Sequence, residues 1–138
     1  MTALQIQLVK KTWKILRGVD PALIGDVFYS KLFADNPSFR MMFPKDLSVQ
    51  YKKLVDTLSA IVARLDDLSV ITDDITAMAK RHTGYGVEPA HYTKVGEALI
   101  WTLRHGLGNE WNTATEEAWV GCYTTLSETM IHAASDAA

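Results

Sequence analysis

The sequence predicts an all-α fold. Apolar residues recur at steps of three or four along the chain, and no stretch alternates apolar and polar in the manner of a strand. The breaks between periodic segments are short and carry proline, glycine or a capping side chain. No internal repeat or low-complexity linker interrupts them. The 138 residues, 48% hydrophobic and 22% charged, therefore read as one domain over 1–138 with enough length for a substantial core.

Thr2 and Gln5 stand at capping-box spacing, and Leu4, Leu8, Thr12, Ile15 and Leu16 make a mostly apolar stripe through a first helix ending near Gly18. Asp20-Pro21 opens a second helix, whose inward face of Ile24, Val27, Phe28, Leu32 and Phe33 lasts to about Asn36. Tyr29 lies beside that face. It is either partly buried with a need for a hydrogen-bonding partner, or an amphipathic tyrosine at the margin of the core. Asn36-Pro37 breaks the chain, and a short helix from Pro37 to Phe43 carries Phe39, Met41, Met42 and Phe43 into a Pro44-Lys45-Asp46 turn. A ring such as Phe43 beside a turn suits a core plug or the lid of a flat cofactor.

A longer helix from about Leu47 to Leu65 aligns Gln50, Leu54, Leu58, Ile61 and Leu65, with Lys52, Lys53, Asp56 and Arg64 on its polar side. Gln50 is the exception on an apolar face, so its amide either caps local backbone or points into a pocket.

The stretch from Leu68 to Tyr92 organises the rest. Leu68, Ile71, Ile75, Met78 and His82 share one helical face, which turns His82 inward, and Thr83-Gly84-Tyr85-Gly86 ends the helix. Glu88-Pro89 starts another, with Tyr92 one turn inside it. An imidazole at a helix terminus with a phenol on the next helix suits two readings. One is a metal ligand with its supporting phenol; the other is a buried histidine with a hydrogen-bond partner. The helix from Pro89 runs to about Leu107, with Val95, Leu99, Thr102 and Leu103 inward and Gly106 and Gly108 closing it, while Trp101 and Trp111 add packing area. Thr113 and Glu116 read as a capping box for a last helix whose inward face is Trp119, Cys122, Tyr123, Leu126 and Met130. Ala133 to Ala138 is expected to fray.

Composition excludes several classes. A formal net charge of −2 and a pI near 6.0 provide no electrostatic footprint for nucleic acid. No apolar run approaches the roughly 20 residues that cross a bilayer, and the amino terminus lacks a signal-peptide pattern, so a cytoplasmic location without membrane insertion is expected. Cys122 is the only cysteine, which rules out an intrachain disulfide, a paired-cysteine attachment motif and a zinc-thiolate cluster. Its apolar helical setting suits an inert packed thiol.

Three groups of residues occur in a telling order. Phe28-Tyr29, Leu32-Phe33, Pro37 and Phe43 precede Gln50 and Leu54; Lys80-Arg81-His82 precedes Tyr85-Gly86-Val87, Pro89, His91-Tyr92, Val95-Gly96 and Leu99; Ala118-Trp119 and Tyr123 follow. Over nearly its whole length the chain thereby resembles the globins, and more closely the bacterial single-domain haemoglobins and the globin domain of flavohaemoglobins. The resemblance implies a three-over-three helical sandwich enclosing haem b, held without covalent bonds. It implies that His82 supplies the proximal nitrogen to the iron and that Phe43 stacks against the haem. Tyr29, Gln50 and Leu54 then form the distal pocket, Tyr29 donating a hydrogen bond to bound dioxygen, Gln50 reinforcing it and Leu54 limiting the space. Arg81, with Lys53 as second candidate, would meet a haem propionate, and Val87, Tyr92 and Tyr123 would border the cofactor. His91, His105 and His132 are surface or packing residues.

Two departures from the flavohaemoglobin pattern stand out. Its proximal histidine is coupled to a tyrosine and a glutamate; Tyr92 matches the tyrosine, but counting from Trp119 puts Ala134 at the glutamate's place, and Glu128 lies nearly two turns earlier. A carboxylate behind the histidine raises ligand basicity, so its loss weakens any peroxidase-like push. No dinucleotide fingerprint follows a strand either, so electrons are expected from a separate reductase. The resemblance implies reversible binding of dioxygen and other diatomic gases at ferrous iron. The same pocket with an external reductase suits nitric-oxide dioxygenation, and a gas-sensing module is a third reading.

Overall fold

The computed structural model describes residues 1–136, with side chains described through Ala133. Among them are six α-helices and no strand: α1 (Ala3–Leu16), α2 (Pro21–Asp35), α3 (Ser48–Ala63), α4 (Thr72–Gly84), α5 (Pro89–Leu107) and α6 (Thr113–Asp136). Short 3-10 segments cover Pro37–Met42, Leu68–Ile71 and Gly108–Glu110. The main packing joins α1, α3 and α4 on one side to α2, α5 and α6 on the other, the three-over-three arrangement expected from the sequence.

The helix starts follow from local chemistry. The Gln5 backbone N–H donates to Thr2 Oγ1 at 3.1 Å, and the Thr2 N–H donates to Gln5 Oε1 at 3.0 Å, completing the capping box. Asp20 accepts from the Ala22 N–H at 3.0 Å ahead of Pro21. Glu88 and His91 cap α5 reciprocally, the Glu88 N–H donating to His91 Nδ1 at 3.0 Å. For α6 the expectation is corrected. Asn112, not Thr113, accepts from the Thr115 N–H at 2.8 Å, and Glu116 instead pairs with Arg104 at 3.2 Å.

Two other expectations shift. In α1 the buried residues are Val9, Thr12, Trp13 and Leu16, whereas Leu4 is 67% and Ile15 42% exposed. Two apolar stripes lie one residue apart on this helix, and the one carrying Trp13 buries more area. The helix expected from Leu68 breaks at Ile71, because the acidic Thr72-Asp73-Asp74 turn starts a new helix whose N-terminal dipole favours negative charge. Leu68 and Ile71 still pack against the same core. Beyond them, Met41 stands 89% exposed, and α6 continues through the segment expected to fray as far as Asp136, Ala137 and Ala138 lying outside the described residues.

The core divides into two apolar clusters. The larger joins α1, α2, α3, α5 and the first half of α6, centred on Trp13, Phe28, Leu32, Leu103 and Trp119. Its polar atoms are satisfied: Trp119 Nε1 donates to Thr12 Oγ1 at 2.9 Å and Trp13 Nε1 to Ser59 Oγ at 3.0 Å. The smaller gathers Ile61, Ile75, Ala79, Tyr92, Leu126 and Met130 around α4. α3 serves both, with Leu58 in the first and Ile61 in the second.

Candidate functional site

His82 occupies the last turn of α4, half-buried, and its Nδ1 lies 2.7 Å from the Met78 carbonyl oxygen. A carbonyl only accepts, so Nδ1 carries the proton and Nε2 keeps its lone pair free. The turn that follows holds the residue in place. The His82 carbonyl accepts from the Val87 N–H at 3.0 Å and the Tyr85 N–H at 3.1 Å, a wrap that requires Gly86 at φ +87°. This is an imidazole fixed through Nδ1, with Nε2 left unprotonated. Among the described residues no group of three or more His, Cys, Asp or Glu side chains could hold a metal alone.

On α2, Tyr29 is buried to 7% exposure in a nest of rings. Phe28 lies 4.9 Å away, Phe43 5.4 Å, and Phe33 and Tyr51 each 5.9 Å, centroid to centroid. Its hydroxyl has no hydrogen-bond partner among the described residues, yet no fully buried side-chain oxygen or nitrogen there is left unpaired, so this oxygen keeps some access to solvent. Burial, and secondarily Tyr51, push its pKa up to about 12, so it stays a neutral donor. Gln50 and Leu54 follow on α3, both half-buried one turn apart. The Gln50 amide makes no hydrogen bond among the described residues, so it caps no backbone there.

The remaining candidates fall into place unequally. Phe43 meets both Tyr29 and Phe33 at 5.4 Å. Lys53 and Arg81 are exposed and make no ion pair among the described residues. Val87 packs half-buried against the α4 cluster, and Tyr92 is buried within it. The Tyr92 hydroxyl makes no hydrogen bond to His82, whose ring is engaged by Met78 instead. Tyr123 donates to the Tyr92 carbonyl at 2.7 Å and lies so close to Gly96 that a Cβ there would meet its ring at 2.6 Å. It ties α5 to α6. Ala134, at the place of the missing carboxylate, lies outside the residues whose side chains are described. The lone thiol of Cys122 is buried, and burial pushes its pKa up to about 11, in keeping with an inert packed group.

Two features went unread in the sequence. An almost wholly apolar cavity of about 240 Å³ lies between α2, α3 and α5, bordered by Phe28, Leu54, Leu58, Leu99 and Leu103. Tyr51, beside Gln50, packs over Gly25 and Tyr29. A glycine inside a helical pattern, one turn before Tyr29, was the available sign of a close helix crossing.

Comparisons with known proteins bear on this geometry. The family profile described as Globin matches residues 26–130. A flavohemoprotein from Vibrio cholerae is 29% identical over 134 residues, 95% of this chain, which spans only 34% of that relative's length. A solved bacterial globin from Campylobacter jejuni superposes with a TM-score of 0.87 at 24% identity, covering 98% of this chain and 97% of its own, which speaks for the fold alone. An engineered carbene transferase, a putative nitric oxide dioxygenase from Rhodothermus marinus, superposes with a TM-score of 0.87 at 25% identity, covering 99% and 95%.

Proposed function

The chain belongs to the globin family, and from that premise we propose that it holds haem b through His82 and binds dioxygen reversibly, in the cytoplasm. The supporting observation is the His82 ring, whose Nδ1 is engaged by the Met78 carbonyl at 2.7 Å so that Nε2 is free to bind a metal. Haem, when bound, supplies an iron with one position open to a diatomic gas.

The chain's own residues then divide the work. Tyr29 offers a proton donor from an apolar nest, where a directed hydrogen bond is stronger than in water. Gln50 supplies a second donor from α3, and Leu54 restricts the volume available. Phe43 and Phe33 exclude water from that side. Arg81, with Lys53 as second candidate, is the exposed cation that would meet a propionate. A phenol that donates to the bound gas favours dioxygen, the more polar when bound, over carbon monoxide.

Haem reconstitution with optical spectra and gas-release kinetics tests this reading. His82→Ala is expected to lose haem retention, and Tyr29→Phe to speed dioxygen release by about tenfold while leaving carbon-monoxide release nearly unchanged. Equal effects on the two gases would remove Tyr29 from the donor role, and unimpaired haem binding by His82→Ala would remove His82 from the iron.

A second reading draws support from the flavohemoprotein likeness and from the putative nitric oxide dioxygenase among similar structures. In it the same pocket converts nitric oxide and dioxygen to nitrate, with an external reductase returning the electron. Nitrate formation that becomes catalytic only when a reductase is added would favour it; slow single-turnover consumption of nitric oxide would favour binding alone.

A further inference from the structure

Tyr51 is held at three points. At its backbone, α3 crosses α2 so closely that a Cβ on Gly25 would stand 2.5 Å from the Tyr51 Cβ and 2.6 Å from its Cα. At its hydroxyl, it donates to the Asp26 carboxylate over a long 3.4 Å, and Asp26 accepts from Ser30 as well, at 3.3 Å. At its ring, it lies over Tyr29 with centroids 5.9 Å apart and planes tilted by 31°.

Tyr29 depends on such contacts, because its hydroxyl is tied to nothing among the described residues. Phe28 and Phe33 ride on α2 with it, so Phe43 and Tyr51 are the surrounding rings that fix it against the rest of the molecule. Gln50 precedes Tyr51 directly on α3. Whatever anchors Tyr51 therefore also sets the rotation of that helix, and with it where the Gln50 amide stands relative to the Tyr29 hydroxyl.

We propose that Tyr51, locked over Gly25 and tethered to Asp26, is a positioning residue that aligns Tyr29 and Gln50 and thereby sets the preference of the pocket for dioxygen over carbon monoxide. The proposal rests on the reading of Tyr29 as the donor. Hydrogen bonds weaken steeply with misalignment, so a small drift of Tyr29 loses much of its hold on dioxygen. Carbon monoxide, less polar when bound, is little affected.

The test uses the full haem-loaded chain and three variants. Tyr51→Phe and Asp26→Ala each remove the tether, whereas Asp26→Asn keeps an acceptor oxygen and serves as the conservative rescue. Both tether-breaking variants are expected to speed dioxygen release about fivefold with carbon-monoxide release changed less than about twofold, and Asp26→Asn to stay near the parent protein. A readout without haem accompanies the kinetics. With 3-fluorotyrosine at the five tyrosines, the Tyr29 fluorine resonance is expected to shift or broaden in Asp26→Ala, which retains every aromatic ring and every fluorine. An unmoved Tyr29 resonance with unchanged dioxygen release overturns the proposal. Tyr29→Phe separates the two failures: if it speeds dioxygen release while the tether variants do not, Tyr51 is packing only. If Tyr29→Phe has no effect, the donor reading fails and the positioning role falls with it.

Discussion

Burial of Tyr29 and Cys122 reaches beyond the pocket to the pH dependence of folding. Tyr29 titrates at about 12 against an ordinary 10.0, and Cys122 at about 11 against 9.0, in both cases chiefly because burial disfavours the charged form. An acid whose folded pKa is raised loses its proton first in the unfolded chain. Stability is therefore fully present below about pH 9 and is lost as pH rises from 9 to 12, first through the thiol and then through the phenol. Thermal unfolding at about pH 8 and about pH 11 should show the loss, and Tyr29→Phe should reduce but not remove the part above pH 10, because burial raises the Tyr123 phenol as well. Equal midpoints at the two pH values would mean that neither group is buried as described. Tyr29 also marks how far residue-level reading reaches. Its spacing placed it beside an apolar face, but the four rings that enclose it come from α2, α3 and Phe43 just after the Pro37–Met42 segment, and periodicity in one helix says nothing about another.

Three glycines give the helices separate tests. Gly86 sits at φ +87° with nothing within 4 Å of a built Cβ, so Gly86→Ala meets backbone strain alone and should lower stability by about 1 kcal/mol. Gly25 is the opposite case, with ordinary backbone but a Cβ that would collide with the Tyr51 backbone; Gly25→Ala forces α2 and α3 apart and should lose about 3 kcal/mol or more. Gly84 lies inside α4 with open space around it, and Gly84→Ala should add about 0.5 kcal/mol. Urea unfolding ranks the three, and a Gly25→Ala protein as stable as its parent would contradict the close crossing on which the Tyr51 assignment depends. Element boundaries were legible wherever a local signal fixed them: the Thr2–Gln5 box, Asp20-Pro21, and the Gly84–Gly86 stop all appear where the sequence puts them. The face of α1 and the cap of α6 were not. In α1 two stripes compete and only the partner helices choose between them, while in α6 Glu116 is drawn away by Arg104, twelve residues back in sequence.

Across the whole molecule, α4 is the helix least supported by protein contacts. It buries only Ile75 and Ala79, and it rests on α6 and the 3-10 turn before it, whereas α5 buries seven residues from Tyr92 to Leu107. Burying an apolar side chain is worth roughly 1.5–3 kcal/mol, so α4 opens at a smaller free energy than its neighbours when only polypeptide holds it. Yet α4 carries His82 at its last turn. A cofactor bound through His82 would stabilise the states in which α4 is formed, by about 4 kcal/mol at a free concentration a thousandfold above Kd. If His82 carries the cofactor as proposed, stability of this helix and retention of haem are one equilibrium seen from two ends. Amide hydrogen exchange in the haem-loaded and haem-stripped protein checks it. Removal of haem should release the α4 amides by about two orders of magnitude or more while those of α5 around Leu99 and Leu103 change far less. Uniform loss of protection across every helix would instead mean that haem supports the fold as a whole, and the same protection in α4 with and without haem would mean that His82 does not carry the cofactor.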